Sequence, residues 1–106
     1  MNDNLEQLMQ MGQQLQARIA EIQGSLDTQE VSASSGGGMV TVTTDGKGTV
    51  KRVSIEPTVV DPRDVEMLED LVLAAVAEAQ KKARSLYEDE MRKVAGGLPI
   101  QIPGLF

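Results

Sequence analysis

The chain has no cysteine, no histidine and no tryptophan among its 106 residues, and one tyrosine and one phenylalanine. Without Cys or His there is no thiol nucleophile, no imidazole base, and none of the thiolate or imidazole ligands on which most structural zinc sites depend. Most enzyme mechanisms close with them, so the expectation is a non-enzyme with no cofactor, no metal and no small-molecule substrate. The shortage of aromatics removes any platform on which single-stranded bases could stack, and leaves Leu, Ile, Val, Met and Ala to build the core. Long apolar runs are also missing. The longest, Leu71 to Ala77, is far below the roughly 20 residues of a bilayer-spanning helix. The opening Met1-Asn-Asp-Asn-Leu-Glu-Gln has neither the basic flank nor the apolar core of a secretion signal. A cytoplasmic protein without membrane contact is expected. Positive charge is in deficit too, ten Lys and Arg against sixteen Asp and Glu, a net charge of -6 that opposes general attraction to nucleic acid but leaves room for local patches.

What is present reads as one domain over residues 1–95, helix, sheet, helix, with a tail over 96–106. Leu5, Leu8, Leu15, Ile19, Ile22 and Leu26 recur at three-four spacing with Gly12 in the vacant place, a seam about 33 Å long at 1.5 Å per residue. Either it packs within its own domain or it forms a seam between subunits. Gly12 marks a close backbone approach or a frayed turn. The runs Glu30–Ser34, Met39–Thr44 and Thr49–Ile55 are short, rich in β-branched residues and bounded by glycine, which predicts a three-stranded antiparallel meander with a bulge near Val50. Val40 with Val42, and Val53 with Ile55, fall on an apolar face.

The glycines around Lys47 raise the question of a phosphate loop. A Walker-type loop needs Gly, four residues, then Gly-Lys-Ser/Thr opening a helix. Here Lys47 is followed by Gly48, the position five before Gly46 is Thr41, and a strand follows. Asp45-Gly46 between strand-like runs is instead a hairpin signal.

Asp61-Pro62 predicts an N-cap and first helical residue, and Gly96-Gly97 a stop, giving a helix of about 34 residues and about 50 Å. Its stripe, Leu68, Leu71, Val72, Ala75, Val76 and Ala79, has alanines that admit close helix contact, and a helix of this length outreaches any core the chain can form. Self-association through these six residues is the economical solution. The apolar tail Leu98-Pro-Ile-Gln-Ile-Pro-Gly-Leu-Phe106 either docks as an extended segment or stays mobile.

The cations cluster. Lys81, Lys82 and Arg84 lie together, Arg92 and Lys93 follow, Lys47, Lys51 and Arg52 fall in the sheet, and Arg18 is nearly alone on the first helix. Glu78, Glu88, Asp89 and Glu90 alongside suit an ordinary solvated face with i,i+4 pairs. Duplicated in a symmetric dimer, the same patches could straddle a duplex without reading bases.

The stretches Ser35-Gly-Gly-Gly-Met-Val-Thr-Val-Thr-Thr-Asp-Gly46, Val53-Ser-Ile-Glu-Pro57 and Glu66-Met-Leu-Glu-Asp-Leu-Val-Leu-Ala-Ala75 resemble the YbaB/EbfC family of nucleoid-associated DNA-binding proteins, and the likeness covers nearly the whole chain. It departs at Ala77, where an Asn commonly sits. The resemblance implies an α+β, tweezer-like homodimer that binds double-stranded DNA with little sequence preference in the nucleoid, affecting compaction and gene expression. On that basis Arg18, Lys81, Lys82, Arg84, Arg92 and Lys93 are the candidate DNA contacts. The alternative is a coiled-helix protein-interaction or chaperone-like module, similar to prefoldin, that binds polypeptides rather than DNA.

Overall fold

The computed structural model describes residues 2–96; the expectations for the tail over 97–106 lie outside the described residues. The order is α1 (Asn2–Thr28), β1 (Glu30–Ser35), β2 (Val40–Asp45), β3 (Val50–Ile55), a 3-10 turn at Pro57–Val59, and α2 (Val65–Gly96). The sheet is an antiparallel meander, β1-β2-β3.

Alternation decides how the sheet is used. Ala33, Val40 and Val42 project to one face and meet Ala75 and Ala79 of α2, which are wholly buried. Alanine at these positions lets the helix lie close on the strands. The opposite face carries hydroxyls, paired across strands at 2.9 Å as Ser32 with Thr43 and Ser34 with Thr41. Ser35 Oγ donates to the Leu71 carbonyl at 2.5 Å and Lys82 Nζ to the Ser32 carbonyl at 3.3 Å. β1 therefore runs antiparallel to α2 along the sheet's edge. The register shifts between Thr43 and Thr44, where Lys51 is the extra residue, the bulge expected near Val50.

Two glycine turns hold the meander. Gly36, Gly37 and Gly38 have φ of 60, 70 and 95°, a left-handed run that side chains rarely tolerate. In the second turn Gly46 N–H donates to the Leu26 carbonyl at 2.8 Å, and a Cβ there would lie 2.6 Å from Leu26 Cδ2 and 2.9 Å from its oxygen. This contact fastens the end of α1 to the sheet, and Leu26 is fully buried beside it.

The start of α2 differs from expectation. Asp64, not Asp61, caps it, with Oδ1 accepting the Met67 N–H at 3.2 Å. Asp61 instead closes a turn through Pro62: its carbonyl accepts the Asp64 N–H at 2.9 Å and its Oδ1 the Arg63 N–H at 3.0 Å. Proline at the second place of such a turn is as natural as at the first place of a helix, and here the turn wins. Among the described residues nothing lies within 4 Å of where a Cβ on Gly12 would be, so it marks no close approach within this part of the chain. The molecule measures 74 × 25 × 16 Å. Its long axis exceeds the roughly 48 Å of α2, because α1 runs beside only the far end of α2 and its first turns continue beyond.

Candidate nucleic-acid interface

Charge along α2 is divided. Its first half, 65–80, contains Glu66, Glu69, Asp70 and Glu78 and no cation; 81–93 contains Lys81, Lys82, Arg84, Arg92 and Lys93 against three carboxylates. Lys81, Arg84 and Glu88 follow at i, i+3 and i+7 and so share the face turned away from the sheet, while Lys82 lies about 100° round, towards β1.

Ion pairing separates the candidates into two groups. Arg92 is held by Asp89 at 2.6 Å and lies 4.0 Å from Glu88, and Lys93 pairs with Glu90 at 3.3 Å. In the sheet Lys47 meets Asp27 at 2.9 Å, Lys51 meets Asp45 at 3.8 Å and Arg52 meets Glu30 at 3.6 Å. Among the described residues, Arg18, Lys81, Lys82 and Arg84 form no salt bridge. Lys81, Lys82 and Arg84 are exposed on one stretch of α2, and Arg18 stands apart on α1. Arg18 lines a groove of ≈ 340 Å³ between the helices, with Glu21, Ile22, Leu26, Lys93 and Val94 among its walls. The structure thus brings Arg18 and Lys93 together and leaves the α2 triad as a separate patch.

The carboxylates with displaced pKa values belong to turns. Asp45 is held below the usual carboxylate value chiefly by the Thr49 N–H, then by the Lys47 N–H and the charges of Lys51 and Lys47, against an opposing effect of burial. Its Oδ1 accepts the Lys47 and Thr49 N–H groups at 2.9 and 3.0 Å. Asp61 is lowered by hydrogen bonds from the Arg63 side chain and then its backbone. Among the described residues no group of three or more His, Cys, Asp or Glu is placed to hold a metal ion, and no helix is long and apolar enough to cross a membrane.

A second surface accompanies the charged one. β3 is exposed along its whole length, because α2 covers only β1 and β2. Val53 and Ile55 stand 44% and 37% exposed on what is elsewhere the core face. Ile55 joins Leu68, Val72, Leu73 and Val76 in an open, almost wholly apolar groove of ≈ 470 Å³ with Glu69 at its edge. Of the six stripe residues expected to meet a partner, Leu68, Val72 and Val76 line this groove. Ala75 and Ala79 are consumed by the chain's own core, and Leu71 packs beneath Gly36. Sequence reasoning missed Leu73, Val53 and Ile55; the last two were visible as apolar strand positions that no predicted element covers.

Fold and surface together define a helix–sheet–helix protein with one segregated basic helix face and one bare apolar edge. The chain belongs to the YbaB/EbfC DNA-binding family, whose model matches residues 1–98. It is 48% identical over 95 residues to a nucleoid-associated protein of Granulibacter bethesdensis, covering 90% of this chain and 89% of that one. It is 47% identical over 103 residues to one of Clostridium novyi, covering 97% and 89%. An uncharacterized protein of Helicobacter pylori, of known crystal structure, shares the fold with a TM-score of 0.74 at 18% identity, over 83% of this chain and 92% of that one.

Proposed function

We propose that the chain acts as a homodimer that grips double-stranded DNA with little sequence preference, without covalent chemistry, and in the nucleoid contributes to compaction and gene expression. The observation that carries this reading is the patch of Lys81, Lys82 and Arg84, free of carboxylate partners among the described residues on an otherwise acidic chain. A cation already paired with a carboxylate adds little net positive charge at a phosphate and displaces few of the duplex's condensed counterions; an unpaired one displaces nearly a full counterion. Such contacts grip the backbone and read no bases. The dimer half of the proposal rests on the groove beside β3, since a bare apolar face next to an unpaired strand edge invites a second copy.

The test is binding to a labelled duplex at two salt concentrations, with light scattering on the same sample. A dimer whose affinity falls steeply with salt supports the reading; a dimer that ignores DNA at low salt refutes it. A second reading has one observation in its favour. Leu5, Leu8 and Met9 near the tip of α1 are 60, 58 and 59% exposed, as a polypeptide-gripping module would need. Suppression of a client protein's aggregation, abolished by polar residues at these positions, is the outcome that selects it.

A further inference from the structure

The outer face of α2 carries a charge pattern that reverses sign about its middle. Glu66, Asp70, Ala74, Ala77, Lys81 and Arg84 are all exposed, and they fall within an arc of about 80° turned away from the sheet. Among the described residues neither the two acids nor the two bases form a salt bridge. Within one chain they cannot meet, since Asp70 and Lys81 are about 17 Å apart along the helix axis and Glu66 and Arg84 about 27 Å. The order acid, acid, alanine, alanine, base, base is centred between Ala75 and Val76.

We propose that this face of α2 pairs antiparallel with the same face of a second copy, and that the pairing masks the basic patch when no duplex occupies it. A two-fold axis between Ala75 and Val76 sets Asp70 level with Lys81 of the second copy, and Glu66 within about 1.5 Å of the level of Arg84. Each ion pair then occurs twice. Glu66 and Arg84 both lie about 60° to the same side of Lys81, as residues that are to meet across a two-fold antiparallel pair must. At the centre Ala74 falls level with Ala77, where small side chains let two helices approach at the low end of the usual 8–10 Å or so. Glu78, about 60° to the other side of Lys81, falls level with the uncharged Leu73. A parallel pairing would set acid against acid and base against base, so the charges fix the orientation. Exposed ion pairs contribute little each, so the contact forms at high local concentration and low salt, and yields to phosphate. It is separate from the groove beside β3, so one chain can use both. The masking rests on the proposed DNA reading; the pairing does not.

Two variants with the parent's net charge of -6 test the register rather than the charge. Glu66→Lys/Lys81→Glu sets like charge against like at both levels. Glu66→Lys/Asp70→Lys/Lys81→Glu/Arg84→Glu reverses every sign and keeps each pair attractive. In sedimentation of the full chains at about 20 mM salt, where charges act over about 20 Å, the parent and the four-fold variant should show a species larger than at about 0.5 M salt. The two-fold variant should associate at least ten-fold more weakly. Equal association of all three, or no larger species from the parent, overturns the pairing. A labelled duplex added to the parent should dissolve the larger species, and its persistence with duplex bound overturns the masking. A parent that pairs yet ignores the duplex supports the pairing and refutes the DNA reading.

Discussion

Replacing Lys81 by alanine isolates what the patch on α2 is worth. Lys81 is exposed and makes no salt bridge among the described residues, so its loss should leave folding stability within about 0.5 kcal/mol. In a homodimer the change occurs twice. If Lys81, Lys82 and Arg84 of both protomers neutralise about six phosphates, the log-log dependence of affinity on salt has a slope near -5, and the variant, lacking two contacts, should lie shallower by about 1.8. The same exponent fixes the affinity loss. At about 0.1 M salt, one decade below the 1 M reference, two lost contacts weaken binding about 60-fold, or about 2.5 kcal/mol. Arg92→Ala is the internal comparison, because Asp89 at 2.6 Å already neutralises that guanidinium. It should weaken binding less than about 3-fold and change the slope by less than one. Fluorescence anisotropy of a labelled duplex between about 50 and 200 mM salt measures both quantities. The reasoning fails if Arg92→Ala costs as much as Lys81→Ala, or if losing Lys81 leaves the slope unchanged.

Three further outcomes test the scaffold. Leu73→Glu, a charge set on a 68% exposed residue of the apolar groove, should convert dimer to monomer in light scattering with helix content unchanged; a persisting dimer places the interface elsewhere. Gly46→Ala drives a methyl to within 2.6–3.0 Å of Leu26 side-chain and backbone atoms, so it should destabilise by about 1–3 kcal/mol and lower Tm by at least about 4 °C; an unchanged Tm would mean that α1 is not fastened at this point. Asp45 has a lowered pKa, so its ionised form favours the folded state: that stability is complete above the unfolded value near 3.8 and is lost as pH falls below it through the folded value. Asp45→Asn should accordingly be less stable than the parent near neutrality, with a urea midpoint that falls less between about pH 5 and pH 3; parallel curves would show that the carboxylate contributes nothing.

The strands were legible because two signals coincided, Val/Thr alternation and glycine or Asp-Gly at the breaks. The start of α2 was not, because Asp61-Pro62 and Asp64 are both sound helix openings, and only the hydrogen bonds of the turn between them decide. The apolar stripe of α2 identified a contact face without dividing it. Ala75 and Ala79 are buried against the chain's own strands, while Val72 and Val76, only partly buried beside that core, line the open groove, yet the two pairs differ by about 60° around the helix. A stripe broad enough for two partners looks from the sequence like a stripe for one. For the charged residues the types and clustering were visible. What was hidden is which cations are already answered: Arg92 and Lys93 resemble Lys81 and Arg84 in sequence, and side-chain pairing with Asp89 and Glu90 sets them apart.

The acidic balance of the chain does not oppose the proposed phosphate contacts, because the charges are separated along α2. Glu69 and Asp70 lie about 17–18 Å from Lys81 along the helix axis, roughly twice the screening length of about 8–10 Å at physiological salt. Their field at the basic patch is largely extinguished. Glu78, Glu88, Asp89 and Glu90 lie within that length; none forms a salt bridge with Lys81, Lys82 or Arg84 among the described residues, and Asp89 and Glu90 are engaged with Arg92 and Lys93. On the proposed site, the charge that a phosphate would meet at contact is mainly that of Lys81, Lys82 and Arg84, offset in part by Glu78 and Glu88, whereas the charge a duplex would meet on approach is nearer the molecular total of -6. Added salt weakens both, the contact attraction and the long-range repulsion. It follows that salt should act mainly on dissociation, shortening the lifetime of the complex far more than it slows association, the reverse of a uniformly basic protein steered to DNA by its whole field.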